Sequence, residues 1–361
     1  MIKWFAGLLA LALVGSAAAQ PAPPPERWHV REGDYVVHDF RFKDGETLKA
    51  LRLHYTTLGE PRRDAAGHVT NAVMVLHGTG GTGRQFFAPQ FADVLYKPGG
   101  VLDPAKYFII LPDGIGHGKS SKPSDGLHMR FPRYEYDDMV AAQHLLLTEG
   151  LKVGHLRLIL GTSMGCMHGF VWGETYPDFV TALAPFACEP TALVGRNRLW
   201  RALAIGSIEK DPAWQGGEYT AEPVEALRAV EILLTIAGSA PIQMQLSLPT
   251  REAADAQAAK VLDTAATATD ANDFIYQADA SRHYDPSPGL EKITAHVLWI
   301  NSSDDFINPP DLGLSEKFAP RLKHGRYILV PASDKTHGHG THTWAAVWQD
   351  DLAKLLAETE H

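Results

Sequence analysis

Cysteine is scarce in this chain: its 361 residues contain only Cys166 and Cys188. Two cysteines exclude a small scaffold built on several disulfides. A single bridge between them is compatible with export, whereas two buried cysteines can equally serve as small apolar side chains. The sequence leaves these two alternatives open.

The chain also lacks a cluster of positive charge. Its 33 lysines and arginines are outnumbered by 42 acidic residues, which gives a formal net charge of -9. Proteins bind nucleic acids and anionic membranes through basic patches, so the composition argues against both as partners. The chain has no useful internal repeat, and its one biased segment is a short proline-rich stretch near the N-terminus.

No apolar run reaches the length of about 20 residues that a membrane-spanning helix needs. The N-terminal run from Trp4 to Val14 is shorter, follows Lys3 and precedes the small residues Ala17 to Ala19. This pattern predicts a secretory signal peptide over residues 1–19, cleaved before Gln20. We therefore expect a periplasmic or secreted protein without a membrane anchor, and a proline-rich tether over residues 20–26.

Apolar runs alternate with helical segments through the remaining chain, which predicts an α/β fold with a mostly parallel sheet between helices. Two antiparallel strands, around Tyr35 to Phe42 and over Leu51 to Leu58, precede the sheet. The parallel strands are expected at 72–76, 107–111, 156–160, 182–186, 296–300 and 327–330. Helices are expected at 136–149, 164–175 and 343–358.

Residues 191–288 contain alanine-rich helical sequence and no strand-like run. So long a stretch exceeds one crossover, so we predict a helical lid inserted between core segments 27–190 and 289–361. Leu199, Trp200, Trp214 and the run 232–236 belong either to the lid core or to a homodimer surface. The core is the expected use, and a homodimer is the alternative.

The most informative motif is the segment Gly161-Thr162-Ser163-Met164-Gly165. It follows a predicted strand and precedes a predicted helix, which is typical of a nucleophile elbow. So tight a turn needs nearly side-chain-free positions two residues before and after the serine. Ser163 is therefore the candidate nucleophile.

An activated serine needs a base and an acid that orients the base, and in this architecture the acid and then the histidine follow the serine. Asp304 and Asp305 follow the predicted strand 296–300 and compete for the role of the acid. His337, His339 and His342 follow the last strand. His339 is the candidate base because glycines flank it, and His337 and His342 are expected to be solvated or to support it.

The three histidines also have a metal-like H-x-H-x-x-H spacing, but no acidic partner lies nearby, so we expect no metal. An oxyanion hole needs two backbone N–H groups. Met164 and Thr79, in the loop His77 to Gly81, are the candidates. A glycine-rich loop can also cradle phosphate, but this one lacks a P-loop lysine and serine, so no cofactor is expected.

With these motifs the chain resembles the α/β-hydrolase superfamily, and more closely its homoserine O-acetyltransferase branch. The matching stretches are residues 138–143, the elbow with Met167 and Trp172, residues 176–178 and the lid sequence 211–219. The resemblance implies an α/β-hydrolase fold, a triad of Ser163, Asp305 and His339, and a covalent acyl-enzyme. It favours Asp305 over Asp304 because a proline four residues after the acid is usual in the superfamily.

Several departures from the acetyltransferase pattern favour water as the acyl acceptor. Gly340 follows His339, where the family typically has an aspartate that helps to hold the amino group of homoserine. The family's arginine before the Asp-Pro of the lid has no clear counterpart, since Ile205 and Gly206 occupy that stretch and Arg201 lies further away. The loop from Asp113 to Ser121 looks more like that of general hydrolases.

Export would also separate the enzyme from cytosolic acetyl-CoA. The sequence thus predicts an exported serine hydrolase that cleaves a small-molecule ester, thioester or amide. Acyl transfer to a small alcohol or amine is the first alternative. A binding protein that retains the fold without catalysis is the second.

Overall fold

The computed structural model describes residues 28–264 and 269–360. The predicted signal peptide and tether lie outside the described residues. Eight strands form one sheet in the order β1-β2-β4-β3-β5-β6-β7-β8. Their bounds are β1 Arg31–Arg41, β2 Thr47–Leu58, β3 Ala72–Leu76, β4 Phe108–Pro112, β5 Leu156–Thr162, β6 Val180–Phe186, β7 His296–Ser302 and β8 Gly325–Val330.

The sheet is parallel from β4 to β8, and β1 and β2 join it in antiparallel pairing. Every strand predicted from the sequence is present, with ends that differ by a few residues. The strands β3 and β4 are buried along their whole length, as expected for parallel strands covered on both faces. The predicted mostly parallel sheet is confirmed.

Helices cover both faces of the sheet. Helices α2 (Tyr136–Leu145) and α3 (Met164–Thr175) pack on one face, with Met139 and Phe170 fully buried. Helices α1 (Pro89–Leu95) and α10 (Gln349–Glu358) pack on the other, where Phe91 and Trp348 are in contact. This layering gives the sheet two apolar cores and leaves its carboxyl edge to carry loops.

The described residues of segment 191–288 contain five α-helices and no strand. They are α4 Gly195–Glu209, α5 Val224–Ala237, α6 Pro241–Ser247, α7 Arg251–Thr264 and α8 Ala271–Asp279. Ile208, Val230 and Ile275 belong to a third, separate apolar core formed by these helices. The segment is therefore a helical insertion with its own core. The short helix α9 (Leu314–Phe318) follows in the second core segment.

The exposed apolar side chains of the insertion include Leu199 and Ile236, whereas Trp200 is buried. A single chain does not test whether this surface forms a homodimer, which stays a prediction. Among the described residues no single helix is long and apolar enough to cross a membrane. Helices α5 and α6 together reach that length and composition but are bent by 103° at their junction.

The prediction for the last helix was wrong at its start. Residues 338–343 and 345–347 form short 3₁₀ turns, and α10 begins only at Gln349. Trp344 stacks on His337, and the Trp348 indole donates to the Thr341 carbonyl. These contacts hold residues 338–347 in 3₁₀ turns, although the apolar spacing of this segment suits a helix. The predicted helix 136–149 likewise ends as an α-helix at Leu145 and continues as a π-helical turn to Gly150.

Cys166 and Cys188 form a disulfide, which resolves the alternative that the sequence left open. Cys166 lies in the first turn of α3, and Cys188 follows β6, with 5.9 Å between their Cα atoms. Both are buried. The bridge thus ties the start of α3 to the end of the neighbouring strand.

Candidate active site

Ser163 stands at the junction of β5 and α3, as the motif predicts. Its backbone has φ 54° and ψ -110°, a conformation that L-residues rarely adopt. The surrounding elements hold this turn, since the Ser163 N–H donates to the Phe186 carbonyl and the Gly165 N–H donates to the His77 carbonyl. Such strain, held by neighbouring strands, is typical of a residue presented for chemistry.

The two elbow glycines are required by contact with backbone. A Cβ atom at Gly161 would lie 2.0 Å from the Gly165 carbonyl oxygen. A Cβ at Gly165 would lie 2.2 Å from the Leu76 carbonyl oxygen. Neither backbone group can move aside as a flexible side chain would. The expectation of side-chain-free positions on both sides of Ser163 is therefore met.

The three residues predicted as a triad lie together. The Ser163 hydroxyl is 2.8 Å from Nε2 of His339, and Nδ1 of His339 is 2.8 Å from Oδ2 of Asp305. They come from three separate segments at the carboxyl edge of the sheet, after β5, β7 and β8. A serine hydrogen-bonded to an imidazole whose far nitrogen faces a carboxylate can act as a nucleophile with a general base.

Asp305 is buried and well satisfied as an anion. Its Oδ1 accepts hydrogen bonds from the N–H groups of Ile307 and Asn308, at 2.7 and 3.1 Å. Burial by itself would raise the pKa of Asp305, but the charge of His339 and hydrogen bonds from His339 and Asn308 outweigh it and lower the pKa. The carboxylate is thus ionised and fixes the imidazole with its proton on Nδ1.

Asp304 does not contact His339 through its carboxylate. It accepts hydrogen bonds from the Thr336 hydroxyl at 2.8 Å and from the Gly338 N–H at 3.2 Å, and it also contacts the Ser302 hydroxyl. The sequence left Asp304 as the alternative acid. In the structure, its hydrogen bonds connect the loop after β7 to the loop that carries His339.

Of the two neighbouring histidines, His337 is buried and His342 is half-buried. His337 is buried and stacks on Trp344, and the ring of His342 meets His339 edge to face at 5.2 Å between centroids. They support the histidine loop rather than converge on one point. Among the described residues no group of three or more histidine, cysteine, aspartate or glutamate side chains is arranged to hold a metal.

Met164 and Thr79 were predicted to donate their backbone N–H groups to the oxyanion. Across residues 28–264 and 269–360, the N–H groups of Met164 and Thr79 find no hydrogen-bond acceptor. Met164 is the first residue of α3, where the helix dipole favours negative charge. Gly78 lies directly against the nucleophile, since a Cβ there would be 3.7 Å from the Ser163 hydroxyl oxygen. Met164 follows Ser163 and Thr79 follows Gly78, so both N–H groups belong to segments next to the nucleophile.

Sequence inspection missed a pair of residues beside this hole. The Tyr136 hydroxyl lies against Thr79 and against the guanidinium of Arg201, which comes from α4 in the insertion. Both side chains are 2% exposed. The sequence placed Arg201 too far from the Asp-Pro of the lid to replace the family's arginine, and its contact with Tyr136 arises only through tertiary folding, which no local signal marks.

The loop from Asp113 to Ser121 contacts β2 and α8. The Ser120 and Ser121 hydroxyls accept hydrogen bonds from backbone N–H groups of β2. The Gln277 side chain of α8 donates to the Gly116 carbonyl. His77 lies fully buried between these parts, where Nε2 accepts from the Gly114 N–H and Nδ1 faces the Gly78 carbonyl.

Comparison with known proteins places this site in a family. The family model of the alpha/beta hydrolase fold matches residues 71–334. A homoserine O-acetyltransferase of Moorella thermoacetica is 31% identical over 310 residues, which cover 74% of this chain and 80% of the relative. The chain belongs to the α/β-hydrolase family, in its homoserine O-acetyltransferase-like branch.

Solved structures of this family share the fold of the chain. A homoserine O-acetyltransferase from Bacillus anthracis superposes with a TM-score of 0.78 at 19% identity, over 91% of this chain and 97% of that one. An acetylester hydrolase from Corynebacterium glutamicum gives the same TM-score at 22% identity, over 92% and 98%. At these identities the α/β-hydrolase fold alone is shared, and it serves both kinds of acyl chemistry.

Proposed function

We propose that the protein is a serine acyl-transfer enzyme that carries its acyl group on Ser163. The observation behind this proposal is the continuous hydrogen-bonded line from Ser163 through His339 to Asp305. The fold family and its acyltransferase relatives support it.

The geometry suits a two-step reaction. His339 accepts the Ser163 proton while Oγ bonds to the substrate carbonyl carbon, and the N–H groups of Met164 and Thr79 hold the resulting oxyanion. The bond to the leaving group then breaks, and His339 returns the proton to that group. In the second step an acceptor attacks the acyl carbon and gives its proton to His339. The bond between that carbon and Oγ of Ser163 then breaks, and His339 returns the proton to Ser163.

The acyl acceptor has two candidates. A small alcohol or amine is the first, because the curated relatives are acetyltransferases that act on homoserine by name. Water is the second, because Gly340 places no side chain beside His339 to hold the amino group of such an acceptor. The proposed acyl-enzyme is common to both.

Product analysis separates these two outcomes. Purified protein is given acetyl-CoA or p-nitrophenyl acetate with increasing homoserine, and free acetate and O-acetyl product are quantified. Turnover that rises with the acceptor and yields O-acetyl product assigns transfer, whereas acceptor-independent release of acetate assigns hydrolysis. Equal turnover by the wild type and Ser163→Ala would contradict the proposal itself.

We also propose that helices α4 to α8 form a lid over Ser163. Two contacts support this role: Gln243 of α6 donates to the Asp334 carbonyl, and a Cβ at Gly338 would lie 2.9 Å from the Ser239 carbonyl oxygen. The insertion thus touches the loop that carries His339. A lid in this place would exclude water from the acyl-enzyme.

Export remains part of the proposal. The N-terminal pattern supports it, and so does the buried disulfide, because such bridges persist in oxidising compartments. A fusion of the first 30 or so residues to a reporter that is active only outside the cytoplasm tests it. Reporter activity supports export, and its absence with normal expression contradicts it.

A further inference from the structure

The side-chain amide of Gln277 is buried, and only one of its two ends is hydrogen-bonded. Gln277 lies in α8 and is 7% exposed. Its Nε2 donates to the Gly116 carbonyl at 2.7 Å, whereas its Oε1 makes no hydrogen bond to any residue in the ranges 28–264 and 269–360. A carbonyl can only accept, so the atom that faces Gly116 is the nitrogen and the free atom is the oxygen. Gln277 therefore presents an unused hydrogen-bond acceptor.

This oxygen faces the loop that carries Thr79. A Cβ added at Gly80 would lie 3.8 Å from Oε1 of Gln277, and apart from the chain neighbours of Gly80 no other described atom would be within 4 Å. Gly78, two residues earlier in the same loop, lies against the nucleophile, since a Cβ there would be 3.7 Å from Oγ of Ser163. A substrate carbonyl held by the N–H of Thr79 would thus have its neighbouring atoms close to the free oxygen.

Helix α8 holds Gln277 in a fixed position. The Asp273 carboxylate accepts hydrogen bonds from the Ser124 N–H and hydroxyl, at 2.9 and 2.7 Å. The Tyr276 hydroxyl, in the preceding residue, donates to the Phe131 carbonyl. The Gln277 amide cannot turn to find another partner for its oxygen without losing the bond through Nε2, and a buried acceptor left unpaired costs free energy. An acceptor fixed in this way is suited to a ligand that supplies the hydrogen.

Asn272 shows what a purely structural amide looks like in the same helix. It is also buried, but its Nδ2 donates to the Gly217 carbonyl at 2.9 Å and its Oδ1 accepts from the Trp214 indole at 2.8 Å. Both ends of this amide are satisfied within the insertion. Asn272 is therefore a matched control for Gln277.

We propose that Oε1 of Gln277 accepts a hydrogen bond from a hydroxyl or N–H group of the substrate. The enzyme is thereby selective for acyl compounds that carry such a donor close to the reacting carbonyl. An apolar group of the same size would leave the oxygen unpaired, so its compound reacts more slowly. The inference rests on the proposed acyl-enzyme at Ser163, and it adds the substrate class. The donor belongs either to the acyl part or to the alcohol part of the substrate.

Matched esters distinguish these two sources. In the acyl arm, ethyl hydroxyacetate is compared with ethyl propanoate, and in the alcohol arm, 2-hydroxyethyl acetate is compared with propyl acetate. In each pair a hydroxyl replaces a methyl group of similar size. The ratio of the two kcat/KM values is divided by the ratio of the alkaline hydrolysis rates of the same esters, which removes their intrinsic reactivity. We expect this corrected ratio to favour the hydroxyl ester of one pair by about three- to tenfold.

Substitutions on α8 assign the preference to one atom. Gln277→Met keeps the length of the side chain and removes its acceptor, so it should remove the preference. Gln277→Glu should keep most of it, because a buried carboxyl group is protonated and retains one donor and one acceptor. Asn272→Leu should lower the melting temperature and leave the corrected ratio unchanged.

A binding measurement covers the case in which Gln277→Met folds poorly or ester turnover is absent. In Ser163→Ala protein, the hydroxyl ester of one pair should raise the melting temperature more than its methyl counterpart at the same concentration. Gln277→Ala in this background should remove the difference, since the smaller side chain fits the same space and brings no acceptor.

The inference is overturned if neither hydroxyl ester is preferred in turnover or in melting shift, or if the preference persists unchanged in Gln277→Met and Gln277→Ala. Equal loss of the preference in folded Asn272→Leu would also overturn it, because the insertion as a whole would then be responsible. Ser163-dependent turnover without a preference would contradict this inference alone. Turnover that persists in Ser163→Ala would contradict the proposed function, and the melting difference would still report recognition of the donor at Gln277.

Discussion

At the residue scale, the two adjacent aspartates after β7 have different partners. Asp305 faces His339 at 2.8 Å and is buried, whereas Asp304 accepts from Thr336 and Gly338 and holds the loop that carries His339. One carboxylate orients the imidazole directly, and the other acts on the backbone that presents it. The two should therefore respond differently to the same substitution.

Asp305→Asn should lower kcat about 10⁴-fold, because the amide no longer stabilises the imidazolium or fixes the Nδ1 proton. Asp304→Asn should lower kcat less than about tenfold. It should mainly lower thermal stability, because it weakens the hydrogen bonds that hold the loop carrying His339. Steady-state kinetics and melting curves of both variants check this. Equal losses of kcat, or a larger loss for Asp304→Asn, would contradict the assignment of Asp305.

Residue-level inference from the sequence succeeded where chain order limits the choices. Ser163 was marked by its motif, and His339 by its flanking glycines, and the structure places both in hydrogen-bond contact. The surroundings of Arg201 were not predicted, since it hydrogen-bonds Ala278 across 77 residues and nothing adjacent in the sequence indicates that contact. The role of Asp304 was missed for the same reason, because its partners lie in the histidine loop.

At the element scale, close packing of β3 against α3 controls the elbow. Gly165 lies on the face of α3 that meets the Leu76 carbonyl. Gly169, one turn later in the same helix, has room, since the nearest atom to a Cβ there would be 4.0 Å away. The two glycines form a matched pair in one helix.

Gly165→Ala should destabilise the fold by about 1–3 kcal/mol and abolish most activity, because the methyl group would push α3 off the strand that positions the oxyanion loop. Gly169→Ala should be neutral or stabilising by up to about 1 kcal/mol, since alanine is the better helix former. Denaturant unfolding and esterase assays measure both effects. If Gly165→Ala retains stability and activity, or if Gly169→Ala loses them, the close contact between α3 and the Leu76 carbonyl does not control the elbow.

Most elements followed from apolar periodicity, but the start of α10 did not. Trp344, Val347 and Trp348 have helical spacing, yet two of them serve contacts outside a helix: Trp344 stacks on His337, and Trp348 bonds to Thr341. Periodicity reports which residues face a core, and a 3₁₀ turn can satisfy the same pattern. The contacts of these two indole rings therefore decide where α10 begins.

At the scale of the whole molecule, two buried features near the active site concern stability: the disulfide and the carboxylate of Glu189. The bridge joins residues 22 apart in the chain. Glu189 follows Cys188 directly and is buried beside Asn301, whose side-chain amide donates to it at 2.8 Å. Substitution of either feature should change the stability of the fold more than it changes the rate of the reaction at Ser163.

Cys166→Ala with Cys188→Ala should lower the free energy of unfolding by about 2–4 kcal/mol, because the unfolded chain gains conformational freedom without the bridge. Urea unfolding of the oxidised protein and of the double variant checks this. Reductant should destabilise the wild type to a similar extent and leave the variant unaffected. If reductant leaves the free energy of unfolding of the wild type unchanged, the result would argue against the disulfide.

Glu189 should make stability depend on pH. Burial, followed by the negative charge of Asp305, raises the pKa of Glu189 from 4.5 to about 8. The folded state therefore holds a proton that the unfolded state has lost, so the free energy of unfolding falls as pH rises from 4.5 to 8. Glu189→Gln should remove at least about 1 kcal/mol of that fall.

Unfolding curves collected across this pH range test the prediction. Glu316→Gln serves as the comparison, because the charge of the exposed Glu316 makes the smallest contribution to the raised pKa of Glu189, so its removal should change the slope less than Glu189→Gln does. An equal pH slope in the wild type and in Glu189→Gln would contradict the role given to Glu189.

The central claim is that Ser163 becomes covalently modified with the help of His339 and Asp305. Intact-mass and peptide mapping after reaction with a fluorophosphonate probe test it most directly. The account predicts one adduct on Ser163, no adduct in folded Ser163→Ala, and slow labelling in His339→Ala, since the base is lost. Failure of folded wild-type protein to label, or labelling at another residue that persists in Ser163→Ala, would contradict it.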